Sequence, residues 1–290
     1  MTKLFNNILV PVTYNRKSEM ALQKAIYIAN EFQCHVHLLY VEGKGMAEAD
    51  KHLIEALREG EIQDPEFWLG QWKEKYQHQL EGNHQVYLAF RKGNKEQQIA
   101  SYILQQKIDL VILDQPSGLL PSGLLPVQLR GGLININRLT RKTGCPVLAL
   151  KSSATLQHIR NIVLPVDARL PVRKVQFASY LALHFNAKIH LVAVAEPVQG
   201  TTSVDTKYLL KTYQLMKEHT DLDVECHTLN GESLADTTLD FARQISADLI
   251  VVDAGKSLTQ SGMLHRFFSK FIFDGSRIPV MTVAPSSAMK

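Results

Sequence analysis

Cysteine is scarce in this chain: three in 290 residues, Cys34, Cys145 and Cys226, set far apart and without a CxxC pair. An odd number at such spacing fits a reducing compartment better than a disulfide framework, so a cytoplasmic protein is expected. Long apolar runs are also missing. Residues 1–7 lack the basic-then-apolar order of an export signal, and polar residues break the following stretch before it reaches about 18 residues. Neither export nor membrane insertion is expected. Lys and Arg form no cluster suited to a nucleic-acid backbone, and the formal charge of +4 is small for the length, so no nucleic-acid partner is expected. Low-complexity tracts are absent too, and 45% hydrophobic with 21% charged residues is the balance of an ordered globular chain.

What is present is a repeat. Asn7-Ile8-Leu9-Val10-Pro11-Val12 returns as Asn161-Ile162-Val163-Leu164-Pro165-Val166. Val36-His37-Leu38-Leu39-Tyr40-Val41 returns as Ile189-His190-Leu191-Val192-Ala193-Val194, and Ile108-Asp109-Leu110-Val111-Ile112-Leu113-Asp114 as Ala247-Asp248-Leu249-Ile250-Val251-Val252-Asp253. Cys145-Pro146-Val147-Leu148-Ala149-Leu150 answers to Ile278-Pro279-Val280-Met281-Thr282-Val283. Four segments in one order exclude coincidence and make two diverged copies of one unit.

Each segment is short, β-branched and apolar at successive positions, which suits a parallel strand covered on both faces. Between them lie helical stripes: Leu22, Ala25, Ile26, Ala29 and Phe32 in the first copy, Val175, Ala178, Leu181, Ala182 and Phe185 in the second. Ile99, Ile103 and Leu104 form a stripe before the fourth strand, matched by Leu239, Phe241 and Ile245. Alternating strand and helix predict an α/β fold made of two doubly wound parallel-sheet domains, residues 1–151 and 158–290, joined by the polar segment between them. Pro11 and Pro165 fit if they stand near the C-terminal ends of their strands, where a missing N–H costs little. The stretch from Gly43 to Gly82 is longer than its counterpart and predicts two helical pieces, including Phe67, Trp68 and Trp72, against one between Thr201 and Thr220.

This order of motifs resembles the universal stress protein family, twice over and across nearly the whole chain. The resemblance implies five-stranded Rossmann-like sheets of the adenine nucleotide alpha hydrolase-like kind. It also implies pairing of the copies as an internal pseudo-dimer, with a homodimer as a further candidate state. Nucleotide-binding members carry G-x2-G-x9-G-[ST] after the fourth strand and an Asp after the first-strand V-P-V. Glycines there let backbone N–H groups approach phosphate, and the following helix start favours an anion. The candidate crevice residues are therefore Pro11, Val12, Thr13, Val41, Gly118, Gly123, Gly131 and Gly132 in the first copy. In the second they are Pro165, Val166, Asp167, Val194, Gly255 and Gly262.

Both copies depart from the motif. The first keeps glycines at altered spacing but has Thr13 at the Asp position, and Leu133 follows Gly132 where Ser or Thr belongs. The second keeps Asp167 but places His265-Arg266 near the position of Gly-Ser. Gly255-Lys256-Ser257 is not a Walker A tail, because the required earlier glycine falls on Ile250 inside a strand.

Other chemistry is thin. Cys34, His35 and His37 with Cys226-His227 form a candidate zinc set, weighed against histidines at a strand edge. Asp114 and Asp253 end the fourth strands and can serve as acid, base, metal ligand or ribose ligand, or cap the following loop. Ser117-Gly118-Leu119-Leu120-Pro121 repeats directly as Ser122-Gly123-Leu124-Leu125-Pro126, which offers either an apolar contact surface or a plug over the crevice. Trp68 and Trp72 share a helix face and predict packing. No GxSxG or HExxH signature occurs. The expectation is a cytoplasmic stress-response binding or adaptor protein without turnover, requiring no cofactor, that meets a small ligand or a protein partner. An ATP- or AMP-binding member is the alternative, and a zinc-binding protein the weaker one.

Overall fold

The computed structural model describes residues 3–43, 64–114, 134–150, 158–167, 170–195, 206–218, 221–231, 233–255 and 278–285. The chain divides into two compact units that part after Val147. The first runs β1 (Asn7–Val12), α1 (Arg16–Phe32), β2 (His35–Glu42), α2 (Pro65–Gln77), β3 (Val86–Lys92), α3 (Lys95–Gln106), β4 (Leu110–Asp114), α4 (Ile136–Thr143) and the start of β5 (Val147–Leu150). The second contains β6 (Asn161–Pro165), α5 (Val172–Phe185), β7 (Lys188–Ala195), α6 (Thr206–Lys217), β8 (Val224–Asn230), α7 (Leu234–Gln244), β9 (Leu249–Asp253) and β10 (Val280–Val283).

Strand order is β3-β2-β1-β4-β5 in the first case and β8-β7-β6-β9-β10 in the second. The pairs β1–β2, β2–β3, β1–β4, β6–β7, β7–β8, β6–β9 and β9–β10 are parallel, with Asn7 opposite His35 and Asn161 opposite Lys188. Continuous apolarity in the sequence has its reason here: Ile8, Leu9 and Val10, like Ile162, Val163 and Leu164, are wholly buried because helices cover both faces. Each such side chain contributes roughly 1.5–3 kcal/mol by leaving water.

The repeated Asp109 and Asp248 tie the sheet together at its other end. Asp109 Oδ2 accepts from the Asn6 and Asn7 N–H groups at 2.8 and 3.1 Å, and Asp248 Oδ2 from those of Arg160 and Asn161 at 2.8 and 2.9 Å. Helix starts are capped by Asn15, Asn94, Asn135 and Ser233. Gln33, Lys107, Gly144 and Asn186 end helices in the left-handed conformation.

Pro11 is the penultimate residue of β1 and Pro165 the last of β6, where the missing donor is tolerated. Two expectations need correction. Leu104 is 58% exposed, because the buried face of α3 runs through Ile99, Ala100, Tyr102 and Ile103 instead. His35 and His37 are not on an edge strand, since β2 lies between β1 and β3, whereas His227 stands on β8, the last strand of its order. Of the insertion, one helix, α2, is described, while residues 44–63 lie outside the described residues. No helix among the described residues is long and apolar enough to cross a membrane.

Candidate functional site

In both units the chain leaves the sheet in opposite directions after two neighbouring strands, β1 and β4 or β6 and β9. Open α/β sheets take ligands beyond the C-terminal ends of such a pair. Pro11, Val12, Thr13 and Asp114 stand at the ends of the first pair, with Val41 near the end of adjoining β2. Pro165, Val166, Asp167 and Gly255 stand at the ends of the second, with Val194 in adjoining β7. Gly118, Gly123, Gly131, Gly132 and Gly262 lie outside the described residues, as do the leucine-proline repeat and His265-Arg266.

At the first pair, Thr13 turns inward to serve the start of α1. Its N–H donates to Ser18 Oγ at 3.0 Å, the two hydroxyls lie 3.2 Å apart, and Asn15 Nδ2 donates to Thr13 Oγ1 at 2.6 Å. Asn15 Oδ1 accepts the Ser18 N–H at 2.8 Å, which closes the cluster. Lys24, half-buried on α1, has its pKa pushed down by burial, and the Asp114 carboxylate opposes that shift. Beside the crevice Trp68 of α2 packs on Tyr14, Tyr40 and Trp72 at ring-centroid distances of 5.2, 6.0 and 4.9 Å. At 4% exposure Trp68 is a core residue rather than a ligand cage.

At the second pair a residue missed in the sequence fills the corresponding space. Lys174, in the first turn of α5, is 3% exposed. Its ammonium donates to the Pro165 carbonyl at 2.6 Å and lies 3.0 Å from Asp253 Oδ2, so it bridges the ends of β6 and β9. A cation in a first helical turn runs against the helix dipole, and these two acceptors outweigh that cost. Its signal in the sequence was a lysine standing on the apolar stripe of α5, four residues before Ala178. Asp253 is thereby an ion-pair partner and not a free base. Aligning the helix stripes and the His37 and His190 strands puts Ala21, which is buried, at the place of Lys174 in the first unit.

The proposed zinc residues meet other partners. Cys34 Sγ lies 3.1 Å from the Phe5 carbonyl, and burial pushes its thiol up to about 12. His37 Nδ1 lies 3.0 Å from the Tyr102 hydroxyl and Nε2 3.2 Å from Asn7 Oδ1, and burial pushes its pKa down to about 4. His35 Nδ1 accepts the Gln85 N–H at 3.0 Å. Cys226, on exposed β8, belongs to the second unit. There a different set converges: His190 on β7 with Glu225 and His227 on β8 place one ligand atom each within 4.8 Å of one another. Cys226, the neighbour of His227 in the sequence, lies on the opposite face of the strand.

The family model for the universal stress protein family matches residues 4–151. A search among curated protein sequences found no match. A universal stress protein structure from Archaeoglobus fulgidus is 15% identical, with a TM-score of 0.70 over 98% of this chain and 99% of that one. A putative universal stress protein from Pseudomonas aeruginosa is 20% identical, with a TM-score of 0.61 over 98% and 94%. At such identities these two show the fold. A universal stress protein from Archaeoglobus fulgidus in complex with dAMP is 19% identical, with a TM-score of 0.35 over 43% of this chain and 97% of that one.

Proposed function

The chain belongs to the universal stress protein family, and from that premise we propose that it is a cytoplasmic stress-response binding or adaptor protein that works without turnover. The carrying observation is Lys174. Its ammonium, held by Pro165 and Asp253, occupies the strand-end crevice of the second unit from within. The acid best placed to act as a base is engaged, and the space where a ligand would meet the strand ends holds a side chain. In the first unit the Thr13, Asn15 and Ser18 groups satisfy one another at the family's Asp position. The two copies, residues 1–151 and 158–290, form an internal pseudo-dimer in this reading, which rests on the repeat and the family resemblance.

The test is hydrolysis. Purified protein incubated with ATP and magnesium releases no phosphate above the buffer rate. Sustained metal-dependent release, abolished by Asp253→Asn or Asp114→Asn, would overturn the reading.

One observation favours the alternative of ATP or AMP held by the first unit. Ala21 stands at the place of Lys174 there, the nearby lysine of that helix being Lys24 beside Asp114, and the glycines at 118, 123, 131 and 132 belong to the same copy. Release of adenine nucleotide from the purified protein would favour this alternative.

A further inference from the structure

The two units contain one motif twice, and its divergence isolates a second site. In both, an asparagine at the start of the first strand faces a buried histidine on the second: Asn7 Oδ1 lies 3.2 Å from His37 Nε2, and Asn161 Oδ1 lies 3.2 Å from His190 Nε2. In the first unit the other ring nitrogen of the histidine is met by the Tyr102 hydroxyl at 3.0 Å. The helix alignment that matches caps Asn94 with Ser233 puts Phe241 at the position of Tyr102. Phe241 keeps the ring contact, 5.9 Å from His190 against 5.8 Å for Tyr102 and His37, but has no hydroxyl.

The strand beside the histidine has changed in step. Where β3 carries Tyr87 and Ala89, β8 carries Glu225 and His227, two residues apart and therefore on one face. His190 Nδ1 lies 3.0 Å from His227 Nε2 and 3.5 Å from Glu225 Oε2, and His227 Nε2 lies 3.8 Å from the same carboxylate oxygen. Ligands held about 2.0–2.1 Å from a tetrahedral zinc ion are roughly 3.3 Å apart, so the three atoms already outline a face of its coordination shell. If His190 Nε2–H donates to Asn161 Oδ1, the Nδ1 lone pair is left pointing at the cluster, the second-shell arrangement that prepares an imidazole for a metal.

We propose that His190, Glu225 and His227 form a binding site for a divalent first-row metal ion of the zinc type, with a coordination position open to water or to a ligand. His190 is buried while Glu225 is about half-exposed, so the site is anchored in the sheet and opens outward. Lys188, 3.7 Å from Glu225 Oε2, is the cation the metal displaces. Without metal, the same geometry is a hydrogen-bonded imidazole pair, in which His227 donates to His190.

The deciding experiment is calorimetric titration of the full-length, tag-free, EDTA-stripped chain with zinc chloride, with cobalt(II) absorption as a second readout. The site takes one zinc per chain, and cobalt gives visible bands of a low-symmetry site. Glu225→Gln weakens zinc binding by at least ~10-fold, the scale set by altered metal shells, and His227→Phe removes it. Cys226→Ser, on the opposite strand face, leaves it intact. No binding by the wild type, or binding unchanged in Glu225→Gln and His227→Phe, overturns the proposal, as does loss of binding in Cys226→Ser. Should His227→Phe fail to fold by circular dichroism, Glu225→Gln on its exposed side chain still decides.

Discussion

Lys174 Nζ lies 3.0 Å from Asp253 Oδ2 and joins the first helix of the second unit to the end of its fourth strand. The two partners are unequal. Lys174 is almost fully buried and also bound to the Pro165 carbonyl, while the Asp253 side chain is 23% exposed. Removing the acid strands a buried ammonium, whereas removing the lysine leaves a carboxylate that water can reach. Asp253→Asn therefore destabilises the chain more than Lys174→Met, which costs about 2 kcal/mol after allowance for the exposure of Asp253. Urea midpoints of the two variants measure the order, and a larger loss for Lys174→Met would contradict it.

His37 gives the first unit a sensitivity to acid. Burial lowers its pKa from 6.5 to about 4, so the unfolded chain takes up a proton below pH 6.5 while the folded chain does not. Its contribution is fully present above pH 6.5 and is lost as pH falls from there to about 4, amounting to about 3 kcal/mol. His190 and His227, also lowered chiefly by burial, act in the same direction. Urea midpoints fall between pH 7 and 4.5, and His37→Gln, which can still bond to Tyr102 and Asn7, flattens that slope.

Thiol reactivity separates the cysteines. Cys34 and Cys145 are buried, and burial holds the Cys34 thiol at about 12, so at pH 8 it has almost no thiolate. Cys226 is exposed. A thiol reagent labels native protein once, at Cys226, and Cys226→Ser abolishes the label, while denatured protein reacts at all three positions. Rapid labelling of native Cys34 would contradict the packing around Phe5.

The fold was legible because strand identity depends on local apolarity, and the repeat stated that signal twice. Pro11 and Pro165 even marked the strand ends. Side chains that act across elements were not legible in the same way. Lys174 reaches a carbonyl nine residues away and a carboxylate on another strand, and only the fold brings those acceptors to it. His190 and His227 come from strands whose register the sequence did not supply, so Cys226, adjacent in sequence, looked like the partner that Glu225 is in space. Leu104 shows the converse: one position past buried Ile103 and equally apolar, it is turned outward by the helix.

The pseudo-dimer predicts that residues 1–151 and 158–290, produced separately and mixed, elute together from a sizing column. Separate elution of two folded halves would contradict it.

Whether the strand-end crevices hold nucleotide is decided by denaturing the purified full-length chain and measuring released adenine nucleotide, followed by calorimetric titration of fresh protein with ATP. Neither released nucleotide nor binding heat is expected. Adenine nucleotide released in stoichiometric amount, or a saturable ATP isotherm, would contradict that expectation.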